Sequence, residues 1–244
     1  MAPNPDCRSA ARALLLEQQP DMTSHNRNLF AGLCALSVLV PLCAAAETYL
    51  DISLSMVMPA THEVRGTISG DLDLTTDSGF GLAVAWGKQH EGGGMTELEF
   101  GYHATDTDEF ATPDGYPLVW PQSDPNAYQT STGARGDIST TSLMVNHYGA
   151  FGEGAARPYL GAGLGVALHA IDLETTPGVL HRVRNLRVPD TLDDEVVAFA
   201  WQVMAGIRYR EFRLGYRYFT TGDTEADGFE ITHGKHMVEV GMRF

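Results

Sequence analysis

From Thr48 to the end of the chain, segments in which apolar and polar side chains alternate follow one another, and this period of two is typical of β-strands. In the clearest segment, Leu160 and Leu164 share one face while Gly161 lies on the other. No window has a 3.6-residue period long enough to predict a helix. The eight predicted strands are Thr48–Met58, Gly79–Lys88, Met95–His103, Ile138–Tyr148, Pro158–Ala170, Val196–Tyr209, Phe212–Tyr218 and His236–Phe244.

The connections between these predicted strands alternate in length. Short connections follow the second, fourth and sixth strands, and long ones follow the first, third, fifth and seventh. Outer-membrane β-barrels have short periplasmic turns, long extracellular loops and an even number of strands, whereas a soluble sandwich has no reason to place every long loop at one end. We therefore predict an all-β fold: an eight-stranded antiparallel transmembrane up-and-down β-barrel over residues 47–244.

The polar faces of the predicted strands combine glycines with charges of both signs. The interior of an eight-stranded barrel is only wide enough for side chains, so these residues are expected inside and the bulky apolar rows outside, against lipid. Because an unpaired buried charge is costly, we expect pairing, with Glu239 near Arg217, and a lumen of low conductance. The predicted interior charge network consists of Glu97, Glu99, Arg208, Arg213, Arg217, Glu239 and Arg243.

A continuous apolar run, Leu29–Ala46, precedes the first predicted strand. Arg27 stands just before the run, and the small residues Ala44–Ala46 satisfy the rule for a signal-peptidase site. We therefore predict cleavage between Ala46 and Glu47 and export of the mature chain. The alternative is an uncleaved membrane anchor, because the run is close to spanning length.

The expected organisation is thus a leader over residues 1–46 and a barrel over residues 47–244. Met22 is a natural start, which would make 22–46 the signal peptide and leave 1–21 as a mis-assigned start or a long n-region. The mature chain would then contain no cysteine, and so no disulfide or thiol chemistry, since all three cysteines lie in the leader: Cys7, Cys34 and Cys43.

The charge balance excludes one class of partner. The chain has 16 Lys and Arg against 31 Asp and Glu, a net charge of −15. Nucleic-acid binders need a basic surface, so no nucleic-acid partner is expected. The mean hydropathy of −0.13 also excludes a multi-helix membrane protein.

One basic cluster interrupts this acidic chain, in the third long loop, where Arg182, Arg184 and Arg187 lie close together. Arginine pairs well with phosphate, so lipopolysaccharide head groups are one expected partner. Internal pairing with the nearby Asp193 and Asp194 is the other interpretation, and the charge pattern does not decide between them.

Other candidate chemistry is weaker. His233 and His236 are two ligands where zinc needs three or four, and the loop acids Asp106 and Asp108 do not match an EF-hand. No spacing suggests a nucleophile beside an oriented base. We therefore expect no metal, no cofactor and no catalytic residue.

The terminal segment HMVEVGMRF resembles the C-terminal assembly signal of outer-membrane proteins, through Val238, Val240, Met242 and the final Phe244. The segments RPYLGAGLGVAL, FAWQVMAGIRYR and FRLGYRYF are similar to the later strands of eight-stranded OmpA/OmpX-like, opacity-type barrels. This resemblance implies insertion by the barrel assembly machinery into the outer membrane of a Gram-negative bacterium. We expect a monomeric protein with a structural or surface-interacting role; a small passive porin is the alternative, and a lipid-modifying enzyme is third.

Overall fold

The computed structural model describes residues 48–65, 71–90, 93–112, 131–175, 191–226, 229–231 and 233–244. Among these residues no helix is long and apolar enough to cross a membrane. The strands are β1 (Thr48–Val57), β2 (Ala60–Arg65), β3 (Asp71–Thr76), β4 (Gly79–Gln89), β5 (Gly94–Ala111), β6 (Ser131–Ala150), β7 (Ala156–Thr175), β8 (Thr191–Tyr209), β9 (Phe212–Thr221), β10 (Thr224–Ala226), β11 (Phe229–Ile231) and β12 (Gly234–Arg243). The predicted leader, with Ala46 and Glu47, lies outside the described residues.

Eight of these strands close into a ring in which every neighbouring pair is antiparallel. The order is β1–β4–β5–β6–β7–β8–β9–β12, and β12 pairs back onto β1. The predicted all-β, eight-stranded antiparallel barrel is confirmed. Closure matters physically because it pairs the backbone of each strand on both sides, which a lipid environment requires.

The remaining four strands continue ring strands beyond a short break. β2 pairs with β3 and β11 just as β1 pairs with β4 and β12, so β2, β3 and β11 extend β1, β4 and β12. β10 follows β9 and pairs with β11. We call the level of these breaks the waist, marked by Met58–Pro59, Asp77–Ser78, Gly222–Asp223 and His233. A break at Pro59 is expected, since proline cannot donate to a ladder.

The other side of the barrel passes through the waist without interruption. β5, β6, β7 and β8 are 18 to 20 residues long and pair along nearly their whole length. They extend well past the predicted ends at His103, Ile138, Ala170 and Val196. Asp106 and Asp108, expected in a loop, therefore lie in β5, and Asp193 and Asp194 lie in β8.

The chemistry of the two faces inverts at the waist while the alternation continues. On β7, Leu168 faces outward below the waist and Asp172 faces outward above it. The inward positions change the opposite way, from His169 to Ile171 and Leu173. Above the waist the interior is a buried apolar cluster: Val64, Leu72, Leu74, Phe110, Ala134, Ile138, Ile171, Leu173, Leu192 and Ile231. The outer face therefore suits hydrocarbon below the waist and water above it.

Candidate functional site: the charged barrel interior

Below the waist the interior is lined by the predicted charged side chains. Strand alternation turns Glu97 and Glu99 of β5, Arg213 and Arg217 of β9, and Glu239 of β12 inward, each with no more than 2% of its surface exposed. Burial of this degree forces the charges to find partners, because an isolated ion in a low-dielectric interior is strongly destabilising.

Arg217 joins opposite walls of the barrel. β9 and β5 lie four strands apart in either direction around the ring, so a contact between them crosses the full width. Arg217 Nη2 donates to Glu99 Oε2 at 2.9 Å, and Nη1 donates to Glu99 Oε1. Its Nε donates to Glu239 Oε2 at 3.0 Å, on the neighbouring strand β12. One guanidinium therefore serves two buried carboxylates.

Arg213 forms a second layer closer to the short turns. Its Nη2 donates to Asp51 Oδ1 at 2.9 Å. Two further carboxylates lie around it, with Nε 3.7 Å from Glu239 Oε1 and Nη1 3.9 Å from Glu97 Oε2. Asp51 was not in the predicted network, although its place on the polar face of the first predicted strand was the signal for it.

Neutral side chains add hydrogen bonds to two of these acids, Glu99 and Glu97. Asn146 and Gln202 each donate to Glu99 at 3.2 Å, and Gln202 also donates to Asn146 at 2.7 Å. Tyr49 donates its hydroxyl to Glu97 at 2.7 Å. Asn146, Gln202 and Tyr49 carry no charge and were therefore not in the predicted interior charge network.

Glycines make room for the tyrosine rings inside the barrel. A Cβ added at Gly161 would meet the ring of Tyr148, and one added at Gly87 would meet the ring of Tyr49. The interior can therefore hold large polar rings only because a neighbouring strand presents no side chain at that level.

Arg208 and Arg243 sit apart from these ion pairs, near the short-turn end. Arg208 Nη1 lies 2.7 Å from Met95 Sδ, and Arg243 Nη2 lies 3.0 Å from the same sulfur. The Arg243 guanidinium carbon is 3.4 Å from the centroid of the Tyr49 ring, a cation–π geometry. The structure thus puts both arginines in the interior but brings neither to a carboxylate among the described ion pairs.

The predicted assembly residues line the seam that closes the ring. Val240, Met242 and Phe244 face outward, and Val238 is partly buried. The backbone of Phe244 pairs with Leu50, donating at 2.8 Å and accepting at 3.1 Å, so the last residue extends the β1–β12 ladder. The proposed lipopolysaccharide contacts Arg182, Arg184 and Arg187 lie outside the described residues.

The closed ring of eight antiparallel strands is the up-and-down barrel fold that the alternation and the connection lengths predict. No protein-family model matches the chain, and no curated protein matches it significantly.

Three solved structures are similar to this chain, each at low sequence identity. Neisserial surface protein A (NspA) is 15% identical over 81% of this chain and 97% of its own, with a TM-score of 0.44. The attachment invasion locus protein Ail of Yersinia pestis is 11% identical over 82% and 100%, with a TM-score of 0.43. The N-terminal barrel domain of Pseudomonas aeruginosa OprF is 14% identical over 80% and 97%, with a TM-score of 0.33.

Proposed function

We propose that this chain is a monomeric, non-catalytic barrel of a Gram-negative outer membrane, which supports the envelope or presents its upper half to partners and does not conduct. The observation that carries the proposal is the ion-pair layer in which Arg217 joins Glu99 and Glu239 across the lumen. A channel of this width could open only by separating those charges, and breaking a buried pair costs about 3–5 kcal/mol.

A second closure lies above the first and supports the same proposal. The apolar cluster above the waist includes Leu74, Ile138 and Leu173, which are all fully buried. A path for water and ions would have to cross this cluster after crossing the ion pairs. Two closures in series, of opposite chemistry, favour a structural barrel over a passive pore.

The outer surface supports a location in a membrane. Large apolar side chains are exposed around the ring below the waist, among them Leu54 at 65%, Phe199 at 59% and Val240 at 56%. Soluble monomers rarely expose a continuous apolar patch of more than a few hundred Å². A belt of this kind is stable against lipid acyl chains.

Planar-bilayer recording tests the closed lumen. Purified wild-type barrel should give no persistent current steps above those of the detergent buffer alone. Arg217→Ala should also remain closed, because the apolar cluster above it is untouched. Large, persistently open channels from the wild type would overturn the proposal and establish a passive porin instead.

The role in the envelope has its own test. A deletion strain should become more sensitive to detergents or lose surface binding, and a plasmid copy should restore the wild-type behaviour. Equal integrity and equal surface binding in the two strains would contradict the proposed role.

The basic cluster in the third long loop forms a further part of the proposal, because three arginines at close spacing suit sugar-phosphate head groups. Replacing Arg182, Arg184 and Arg187 with glutamine should weaken binding to lipopolysaccharide-containing vesicles, and high salt should weaken wild-type binding. Unchanged binding by the variant would instead favour pairing with Asp193 and Asp194.

A further inference from the structure

Four histidines are buried together at the level where the strands break. They are His62 of β2, His103 of β5, His169 of β7 and His233, which directly precedes β12. Each has no more than 2% of its surface exposed. We call them the waist histidines. They lie between the ion pairs below and the apolar cluster above, and they belong to neither.

The rings are packed against one another. His169 and His233 are stacked, with centroids 4.2 Å apart and planes inclined by 16°, and His62 lies 5.5 Å from His233. Lys235 is buried beside them, and its Nζ donates to Thr140 Oγ1 at 3.0 Å. Thr140 is therefore free to donate its own hydrogen to His169 Nδ1, 3.0 Å away, which is the arrangement of a neutral imidazole.

Several ring nitrogens have no hydrogen-bond partner among the described residues. These are both nitrogens of His233, Nε2 of His169 and Nδ1 of His103. Buried polar atoms are nearly always satisfied, and exceptions call for a functional reason. A metal ion is not that reason here, because the described residues contain no group of His, Cys, Asp or Glu side chains that could hold one.

The charged groups that face three of the waist histidines, His103, His169 and His233, are predominantly cations. The positive charge of Lys235 on β12 interacts electrostatically with His103, His169 and His233. On His103, Arg217 of β9 and Glu99 of β5 also act, but Glu99 already pairs with Arg217. The groups that act on His233 are His169, His62 and Lys235, and none of them carries a negative charge.

We propose that the waist is an acid-sensitive switch, in which protonation of its stacked histidines below about pH 6 releases β2, β3 and β11 from the rest of the barrel. Each added proton places a positive charge beside Lys235 and a neighbouring ring, in a compartment that supplies little compensating charge. The released strands can move because the regular strand structure is interrupted at the waist between β2 and β1, between β3 and β4, and between β11 and β12. The strands β5–β8 have no such interruption.

The direction and size of the effect follow from proton linkage. A histidine that stays neutral in the closed barrel takes up a proton with an ordinary pKa near 6.5 once it is exposed. The open state therefore binds more protons, so the closed state is fully favoured above pH 6.5 and loses favour as the pH falls. Each such histidine should increase opening about 30-fold between pH 7.5 and pH 5.0.

Amide hydrogen exchange on the full chain folded in detergent micelles tests the switch. After correction for the intrinsic exchange rate, amides of β2, β3 and β11 should lose at least about 30-fold in protection at pH 5.0 relative to pH 7.5. Amides of β12 near Glu239 should keep theirs. Equal protection at the two pH values in the wild type would overturn the proposal.

Variants separate the waist histidines from other titrating groups. The double replacement His169→Phe with His233→Phe keeps a stacked pair that cannot be protonated, so the contribution of this pair to the pH response, about 30-fold for each ring, should disappear. Each single replacement should reduce the change in protection between pH 7.5 and pH 5.0 about 30-fold. The mobility of each unheated variant on a gel shows beforehand that it is folded. The matched control is the exposed pair His90 and His147, whose rings lie 6.2 Å apart. Replacing both of these with Phe should leave the wild-type response; an unchanged response in the waist variants, or its loss in the control, would contradict the switch.

Discussion

Arg217→Met is the most informative single change in the interior. Methionine fills much of the space of the arginine stem but removes the cation that serves Glu99 and Glu239. Glu99 would keep only its hydrogen bonds from Asn146 and Gln202, at 3.2 Å each. Glu239 would keep Tyr159 at 3.4 Å and the more distant Arg213.

The expected loss in the free energy of unfolding is about 3–5 kcal/mol, the range found when one partner of a buried ion pair is removed. All three side chains are at most 2% exposed, so screening by water does not reduce this value. Adding Glu99→Gln to Arg217→Met should recover part of the loss, since it removes one of the stranded charges. A direct charge swap of Arg217 with Glu239 should recover little, because the new glutamate would face Glu99.

Equilibrium urea unfolding in lipid vesicles, followed by tryptophan fluorescence, gives the required free energies. Arg135→Met is the control, since Arg135 is exposed above the waist and should change stability by less than about 1 kcal/mol. If Arg217→Met lost no more than this control, or if Glu99→Gln gave no recovery, the reasoning from buried ion pairs would be refuted.

Three other outcomes follow from the seam, the leader and the interior glycines. Replacing Phe244 with Asp should reduce outer-membrane levels and leave protease-sensitive chain in the periplasm; unchanged levels would contradict an assembly role. Intact-mass measurement should place the mature N-terminus at Glu47, whereas a species that retains the apolar leader would establish an anchor. Gly161→Ala should lower the free energy of unfolding by about 1–3 kcal/mol, because the added Cβ displaces the Tyr148 ring. Gly149→Ala should be nearly neutral, because its Cβ would meet the Phe151 ring at an ordinary van der Waals distance of 3.5 Å.

Alternation along the strands predicted which charges point inward, because side-chain direction depends only on position within a strand. It could not predict that Arg217 meets Glu99, since these residues lie on opposite walls. That contact depends on the stagger of all the strands between them, which sets their relative height. The register between the neighbouring strands β9 and β12, which brings Glu239 near Arg217, involves no such sum.

The upper half of the barrel was missed for a different reason. Ile171 and Leu173 follow the same alternation as Gly161, but they are apolar where the lower positions are small or polar. A single environment outside the whole strand would keep one face apolar throughout, so each predicted strand ended where the apolar face changed. The change of chemistry without a change of alternation was the available signal. The waist histidines come from three different strands and a loop, so no local spacing could reveal them.

The continuity of β5 to β8 through the waist gives the two walls of the barrel different mechanics. β7 has 20 residues, which at a strand tilt near 40° amounts to a height of roughly 50 Å, about twice the apolar band of such barrels. The part of this wall above the waist therefore stands clear of the apolar band and is held by strands that run through the waist without a break. In the opposite wall, each of the strands β1, β4, β9 and β12 ends at the waist and is followed or preceded by a separate short strand. A force applied to the part above the waist would therefore bend the barrel toward this interrupted wall before it tilted the part below the waist.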